Sequence, residues 1–77
     1  MKNRSRLDIT AEILNAASAG ALKTKIMYSA SLSFDQLKEY LSVLVDSGLL
    51  EYDAKKKAYK TTDKGHDLLT KYGKVKI

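Results

Sequence analysis

The sequence predicts an α+β domain in which helices pack on a small antiparallel sheet. An amphipathic run that begins at Ser33 has apolar residues at helical spacing and stops at Gly48. Two short runs with several apolar residues follow, LLEYDA and KAYKTT, and lysines lie between them. A helix that leads directly into a hairpin indicates mixed α and β structure around one shared core.

Length and composition narrow the classes of protein. A chain of 77 residues suits one domain, which we expect to span the whole sequence with an ordered part over about residues 5–72. There is no cysteine and one histidine, so we predict no disulfide, no zinc site and no thiol nucleophile. A phosphate-binding glycine loop and a nucleophile elbow are also missing from the sequence. We therefore expect neither an enzyme nor a cofactor.

The first helix is predicted from a capping pattern. Ser5, with Asp8 three residues later, resembles a capping box that opens a helix over about residues 6–18. The apolar spacing gives this helix an inward face, which is made of Ile9, Ile13, Ala16 and Ala17.

The second helix is expected to be short, over about residues 23–29, with Thr24 as its cap. Its inward residues are predicted to be Ile26 and Met27. Ala21 and Leu22 are expected to form a stub strand between the first two helices.

The third helix has the clearest pattern in the sequence. Ser33 and Gln36 form a second capping-box pattern. Gly48 is placed where a left-handed residue closes a helix. The inward face is predicted to consist of Phe34, Leu37, Tyr40, Leu41, Leu44 and Val45.

A hairpin and a fourth helix complete the predicted elements. The two strands of the hairpin flank residues 54–57, and their lysines discourage unwanted strand pairing. Thr62 is expected to cap a helix from Asp63 to Tyr72 that ends at Gly73, before a frayed KVKI tail. The inward residues of this helix are predicted to be Leu68, Leu69 and Tyr72.

The order of these elements is helix, stub strand, helix, helix, strand, strand, helix. This is the order of a winged helix-turn-helix, with a three-helix core, a wing sheet of two or three strands and a C-terminal helix.

The net charge of +5 is unevenly distributed. Residues 1–25 have a balance of +3, residues 26–53 of −4, and residues 54–77 of +6. Clustered cations attract phosphate, so an anionic partner is expected, with nucleic acid first and an anionic membrane a distant alternative. Neither a signal peptide nor a run of about 18 apolar residues occurs in the sequence, and we expect a soluble, cytoplasmic protein.

Several segments spread over residues 5–72 carry a family resemblance. They are KTKIMY at 23–28, LSF at 32–34, Tyr40-Leu41 with Leu44, GLL at 48–50, and the run from Tyr59 through Thr62 to Lys64-Gly65. Together they resemble the small archaeal winged-helix proteins described as transcriptional regulators or chromatin-associated DNA-binding proteins. The resemblance implies double-stranded DNA binding, nucleoid association, a third helix near the major groove and a wing along the backbone or minor groove.

Such proteins often extend the last helix into an antiparallel coiled coil that forms a dimer. Gly73 interrupts that pattern here. The expected oligomeric state is therefore left open between a monomer and a weak homodimer.

The outward side of the third helix is predicted to be acidic. Steps of about 100° from Leu37 place Asp35, Glu39, Ser42 and Asp46 there. Phosphates repel carboxylates, so only the first turn of this helix and its flanks suit DNA. The predicted DNA-binding residues are Lys23, Lys25 and Tyr28 in the second helix, Ser31, Ser33, Gln36 and Lys38 around the start of the third, and Lys55, Lys56, Lys57 and Lys60 on the wing, with Arg4 and Arg6 as an extension.

Each group also has a structural interpretation. The wing lysines fit a solvated hairpin tip, Ser33 and Gln36 fit a capping box with no further role, and Tyr28 fits the edge of the core. Tyr40, Tyr52 and Tyr59 are predicted to pack rather than to stack on bases, and His66 to be a surface residue.

Two functions remain open at this point. The main hypothesis is a DNA-binding transcriptional regulator or chromatin-associated factor that contacts mainly phosphates. The alternative is a protein-interaction adaptor whose acidic third-helix face meets a basic partner.

Overall fold

The computed structural model describes residues 5–72, and its elements follow the predicted order. Arg4, the helix stop at Gly73 and the KVKI tail lie outside the described residues. The elements are α1 (Arg6–Ala16), β1 (Ala21–Leu22), α2 (Lys23–Ala30), α3 (Phe34–Asp46), β2 (Leu50–Asp53), β3 (Ala58–Thr61) and α4 (Asp63–Tyr72).

Both predicted capping boxes are confirmed. The Ser5 hydroxyl accepts from the Asp8 N–H, and the Asp8 carboxylate accepts from the Ser5 N–H, each at 3.0 Å. At the start of α3 the same reciprocal pair joins Ser33 and Gln36, at 3.1 and 3.2 Å. These bonds satisfy N–H groups that a helix start leaves without a partner.

The structure corrects the limits of α1 and α2. The first helix ends at Ala16 rather than at 18, because the chain turns tightly into Gly20, whose φ is +97°. Thr24 does not cap α2. Leu22 occupies the N-cap position without a side-chain hydrogen bond, since β1 runs directly into the helix and leaves Thr24 inside it.

The buried face of α3 is narrower than predicted. Leu37, Leu41 and Leu44 are buried, as expected, and Tyr40 is half-buried. Phe34 and Val45 were expected to face inward, but they are 47% and 37% exposed. They lie at the borders of the apolar stripe, where a rotation of about 100° per residue turns side chains out of the core.

Gly48 closes α3 as predicted, with a φ of +80°. The N–H groups of Gly48 and Leu49 donate to the Val45 and Leu44 carbonyls at 3.0 and 2.9 Å, which is a Schellman arrangement. A similar pair of bonds ends α2 around Ser31, whose φ is +54°.

The three strands form one antiparallel sheet in the order β1-β3-β2. The pairs Leu50↔Thr61 to Asp53↔Ala58 make the predicted hairpin, and β1 pairs with the other side of β3. The predicted stub strand is therefore the third strand of the wing sheet. Because side chains alternate along a strand, one face of the hairpin holds Leu50, Tyr52, Tyr59 and Thr61, and the opposite face holds Glu51, Asp53 and Lys60.

The core lies between the helices and the first of these faces. Ile13, Leu14, Ile26, Leu37 and Leu50 are its largest fully buried side chains. Leu68 and Leu69 of α4 pack against it, as predicted. Leu14 was not among the predicted inward residues of α1.

Within residues 5–72 every helix is too short or too polar to cross a lipid bilayer.

Two consecutive threonines join the helices to the sheet. The Thr61 hydroxyl is buried and donates to the Leu14 carbonyl at 2.7 Å, while the Thr61 N–H donates to the Ala17 carbonyl at 3.0 Å. Both acceptors lie at the end of α1. These bonds therefore satisfy carbonyls that a helix end leaves without an intrahelical partner.

Thr62 makes the corresponding connection to the end of α3. Its hydroxyl donates to the Gly48 carbonyl at 2.6 Å and accepts from the Gly65 N–H at 3.1 Å, which confirms the predicted cap of α4. The Thr62 N–H donates to the Leu49 carbonyl at 3.1 Å. The Lys64 ammonium adds a bond of 2.9 Å to the Ser47 carbonyl, where a cation also suits the helix dipole.

Gly65 allows α4 to lie directly on this junction. A Cβ atom at this position would clash with the Leu49 carbonyl oxygen and would approach Thr61 Cγ2 to 2.6 Å. The first turn of α4 therefore packs against the main chain that precedes β2.

Replacing Thr61 with valine is expected to reduce the free energy of unfolding by about 1 to 3 kcal/mol, because the buried Leu14 carbonyl loses its donor. Urea denaturation measures the change. Thr70→Val is the matched control, since the Thr70 hydroxyl also donates to a main-chain carbonyl but at an exposed site. Equal losses in the two variants would contradict the role of the buried bond.

Gly65→Ala is expected to lower the stability by about 1 to 3 kcal/mol, although alanine is the better helix former, because the methyl group has no room. Thermal unfolding is the measurement. Thr70→Ala, at an exposed site in the same helix, should leave the melting temperature almost unchanged. A Gly65→Ala variant as stable as the parent protein would show that α4 can shift at no cost.

Candidate nucleic-acid interface

All the predicted DNA-binding residues within 5–72 are exposed, but the lysines other than Lys57 fall into two clusters. One cluster lies beside the sheet face that carries Tyr52 and Tyr59, and the other surrounds the opposite face. We call these places the inner cleft and the outer groove. The inner cleft is lined by Lys23, Lys38, Leu41, Ser42, Val45, Asp46, Tyr52 and Tyr59.

Phe34 brings the two lysines of the inner cleft together. The Lys23 ammonium lies 5.1 Å and the Lys38 ammonium 5.4 Å from the centroid of its ring. Ring faces attract cations at such distances. The exposed Phe34 ring thus contacts one cation from the start of α2 and one from the second turn of α3. A clue to its exposure was present in the sequence, because Phe34 and Lys38 are four residues apart and share a side of the helix.

Two tyrosine rings form the wing side of the inner cleft. The centroids of Tyr52 and Tyr59 are 4.8 Å apart and the rings are tilted by 44°. Tyr59 is half-buried, as its predicted packing role requires, whereas Tyr52 is 48% exposed. Burial, and secondly the neighbouring Tyr52, raises the pKa of Tyr59 above its ordinary value of 10.0.

The outer groove runs between the start of α2 and the wing. Lysines surround a floor that includes the exposed Leu22 and the half-buried Ala58. Glu51 stands opposite Lys60 in the β2–β3 register, so this face is not uniformly basic. The lysines that line the groove are Lys25, Lys55, Lys56 and Lys60.

The loop at the wing tip is built to present consecutive lysines. The Asp53 carboxylate accepts from the N–H groups of Lys55 and Lys56, at 2.9 and 3.3 Å. Lys57 then adopts a left-handed conformation with a φ of +54°, which returns the chain to β3. Asp53 therefore shapes the turn from within, and the lysine side chains stay exposed.

Ser33 and Gln36 at the start of α3 have a structural role. The Ser33 hydroxyl and the Gln36 carbonyl oxygen form the capping box, which leaves the Gln36 amide NH₂ as a donor. Tyr28 is 76% exposed, so it is not an edge residue of the core. Arg6 is exposed at the start of α1 and lines a groove together with Gln36 and Glu39.

The predicted outward face of α3 is confirmed. Asp35, Glu39, Ser42 and Asp46 are all exposed. His66 is exposed on α4, as expected. In the described part of the chain, no three acidic or histidine side chains converge in a way that could hold a metal ion.

Comparison with known proteins agrees with this architecture. A family model described as a winged helix-turn-helix matches residues 3–77, and the chain belongs to that family. Among curated proteins the comparison gives no match.

A solved structure is similar to this one over most of its length. It is the crystal structure of Sso10a-2, a DNA-binding protein from Sulfolobus solfataricus, with a TM-score of 0.82 and 27% sequence identity. The alignment covers 88% of this chain and 74% of that chain. The resemblance to archaeal winged-helix proteins that the sequence indicated is thereby confirmed.

The raised pKa of Tyr59 predicts how stability depends on alkaline pH. The folded protein holds the Tyr59 proton to higher pH than the unfolded chain does, so stability should fall as the pH rises above about 10. In Tyr59→Phe the decrease of stability with pH should be shallower, and the near-ultraviolet titration should lose an ionisation step above about pH 10. A decrease as steep in the variant as in the parent protein would contradict the assignment.

Proposed function

We propose that the protein binds double-stranded DNA, largely through phosphate contacts with limited readout of bases. The observation that carries the proposal is the grouping of exposed lysines on three neighbouring segments, namely the start of α2, the N-terminal half of α3 and the wing. Similarity to a DNA-binding protein with the same fold supports it.

The charges favour a particular way of docking. Lys23 and Lys38, gathered around Phe34, provide cations at the N-terminal ends of two helices, where main-chain N–H groups also attract phosphate. The acids farther along α3 oppose deep insertion of that helix into a groove. We therefore place the first turn of α3 next to the backbone, with the wing lysines on adjacent phosphates.

This docking favours a factor that acts at many DNA sites over one that reads a single operator. Gln36 retains donors for a base edge, so some sequence preference is compatible with the site. A chromatin-associated role, with the protein bound to the nucleoid in the cytoplasm, fits the phosphate contacts best. Transcriptional regulation requires in addition a marked preference for particular sequences.

The exposed acids on α3 support a second candidate function. Asp35, Glu39 and Asp46 suit a basic protein partner, and the exposed Val43 adds apolar surface beside them. An adaptor of this kind would bind through α3 and leave the lysines free. NMR shifts on titration with duplex DNA separate the two functions, because DNA binding should move the lysine resonances, whereas those of Glu39 and Asp46, farther along α3, should stay almost unmoved.

Reversing the charge of the wing lysines tests the DNA proposal. The variant Lys55→Glu, Lys56→Glu, Lys57→Glu should bind every duplex sequence more weakly, and the slope of log affinity against log salt should become shallower by about 3, at about 0.9 per phosphate contact. Fluorescence anisotropy at several salt concentrations measures both quantities.

A matched pair of single variants separates position from net charge. Lys56→Glu on the wing should make the salt slope shallower by about 1, whereas Lys71→Glu, at an exposed site on α4 outside the three segments, should weaken binding much less and leave the slope close to that of the parent protein. If both single variants lose affinity equally, net charge alone governs binding and the wing has no special part. No binding of the parent protein to a duplex at low salt would refute the proposal.

A further inference from the structure

We propose that the inner cleft binds one unpaired nucleotide of a nucleic-acid strand, with its phosphate at Lys23 and Lys38 and its base against Tyr52. The inference rests on the proposed function and extends it from regular duplexes to duplexes that contain an unpaired base. The cleft has a volume of about 400 Å³, within the range of small-molecule sites.

The side of the cleft formed by α3 changes its chemistry from end to end. Lys38, Ser42 and Asp46 are spaced four residues apart and all line the cleft. At a rise of 1.5 Å per residue they lie about 6 Å apart along the helix. A lysine, a serine and an aspartate thus follow one another over about 12 Å of helix axis, with the lysine ammonium directed toward Phe34 at the N-terminal end. A continuous phosphate backbone would be repelled at the Asp46 end.

A single nucleotide matches this order of groups. It is anionic at the phosphate, and the edge of the base carries hydrogen-bond donors. With its phosphate at the lysine end, the base would reach Ser42 and Asp46. Carboxylates accept from the amino groups of bases.

The aromatic side of the cleft supplies a surface for stacking. Nearly half of Tyr52 is exposed, and Tyr59 supports it at 4.8 Å between centroids. Leu41 and Val45 add apolar surface from α3. Stacking of a base on an aromatic side chain strengthens binding and tolerates any of the bases, because each has a π face.

Pairing determines which bases can occupy the cleft. A base within a duplex uses its Watson–Crick edge for its partner and both its faces for stacking, so only an unpaired base can meet Asp46 and Tyr52 together. Guanine, adenine and cytosine have amino groups to donate, and thymine has none. Guanine, with adjacent amino and imino donors, suits a carboxylate best.

The test compares three labelled DNA hairpins, one with a regular stem, one with a single unpaired guanine in the stem, and one with an unpaired thymine there. The parent protein should bind the guanine hairpin at least about fivefold more tightly than the regular one, as about 1 kcal/mol of stacking requires. The thymine hairpin should show a smaller advantage. Equal affinity for all three would overturn the proposal.

Three variants test whether the tighter binding of hairpins with an unpaired base depends on the cleft. In Asp46→Asn the guanine hairpin should exceed the regular hairpin in affinity by no more than the thymine hairpin does. In Tyr52→Leu neither hairpin with an unpaired base should bind more tightly than the regular one. Glu39→Gln makes the same change in charge on the same helix outside the cleft, and it should keep both advantages. If Asp46→Asn and Glu39→Gln behave alike, Asp46 does not contact the base and the proposal fails.

Two further measurements distinguish a failure of the cleft proposal from a failure of the proposed DNA binding. Binding of the regular hairpin tests the proposed function, whereas only the ratio between hairpins tests the cleft. Guanosine monophosphate is added as a competitor to distinguish a free nucleotide from a strand. We expect it to displace the guanine hairpin only at far higher concentration than an unlabelled guanine hairpin does. Equal potency would assign the cleft to a free nucleotide and overturn the strand proposal.

Discussion

The hydrogen bonds of Thr61 and Thr62 are the constraint on which the rest of the fold depends. Through them the end of β3 satisfies carbonyls at the end of α1 and in the turn after α3, two places where a helix has no partners of its own. The wing therefore cannot move far from the helices without exposing several main-chain groups. Since the wing and α3 carry the candidate interface, the two threonines also determine how its halves face each other.

Local patterns predicted most of the fold, because the chemistry that sets helix limits lies within a few residues. The boxes at Ser5 and Ser33, the glycine at 48 and the cap at Thr62 all act over three to five positions, and each could be predicted from the sequence. Thr24 was misassigned because a strand leads straight into α2, which local capping patterns do not reveal.

Long-range contacts were not readable in the same way. The bond from Thr61 to Leu14 joins residues 47 positions apart, and the reason for a glycine at 65 is the Leu49 carbonyl that α4 covers. The candidate interface was predicted as a set of exposed cations, and that much holds. Its division by the two faces of the sheet depends on the β2–β3 register, which local patterns do not reveal. The exposure of Phe34 was missed because the apolar pattern of α3 was given more weight than the lysine four residues later.

The contact of Phe34 with two lysines has a consequence for the entropy of binding. A free lysine side chain loses up to about 2 kcal/mol of rotamer freedom when it is immobilised, and this cost normally weakens each phosphate contact. Lys23 and Lys38 are already confined near one ring before any ligand arrives. Part of the ordering has thus occurred in the folded protein, so these two cations lose less freedom on meeting a phosphate than the lysines at the wing tip do.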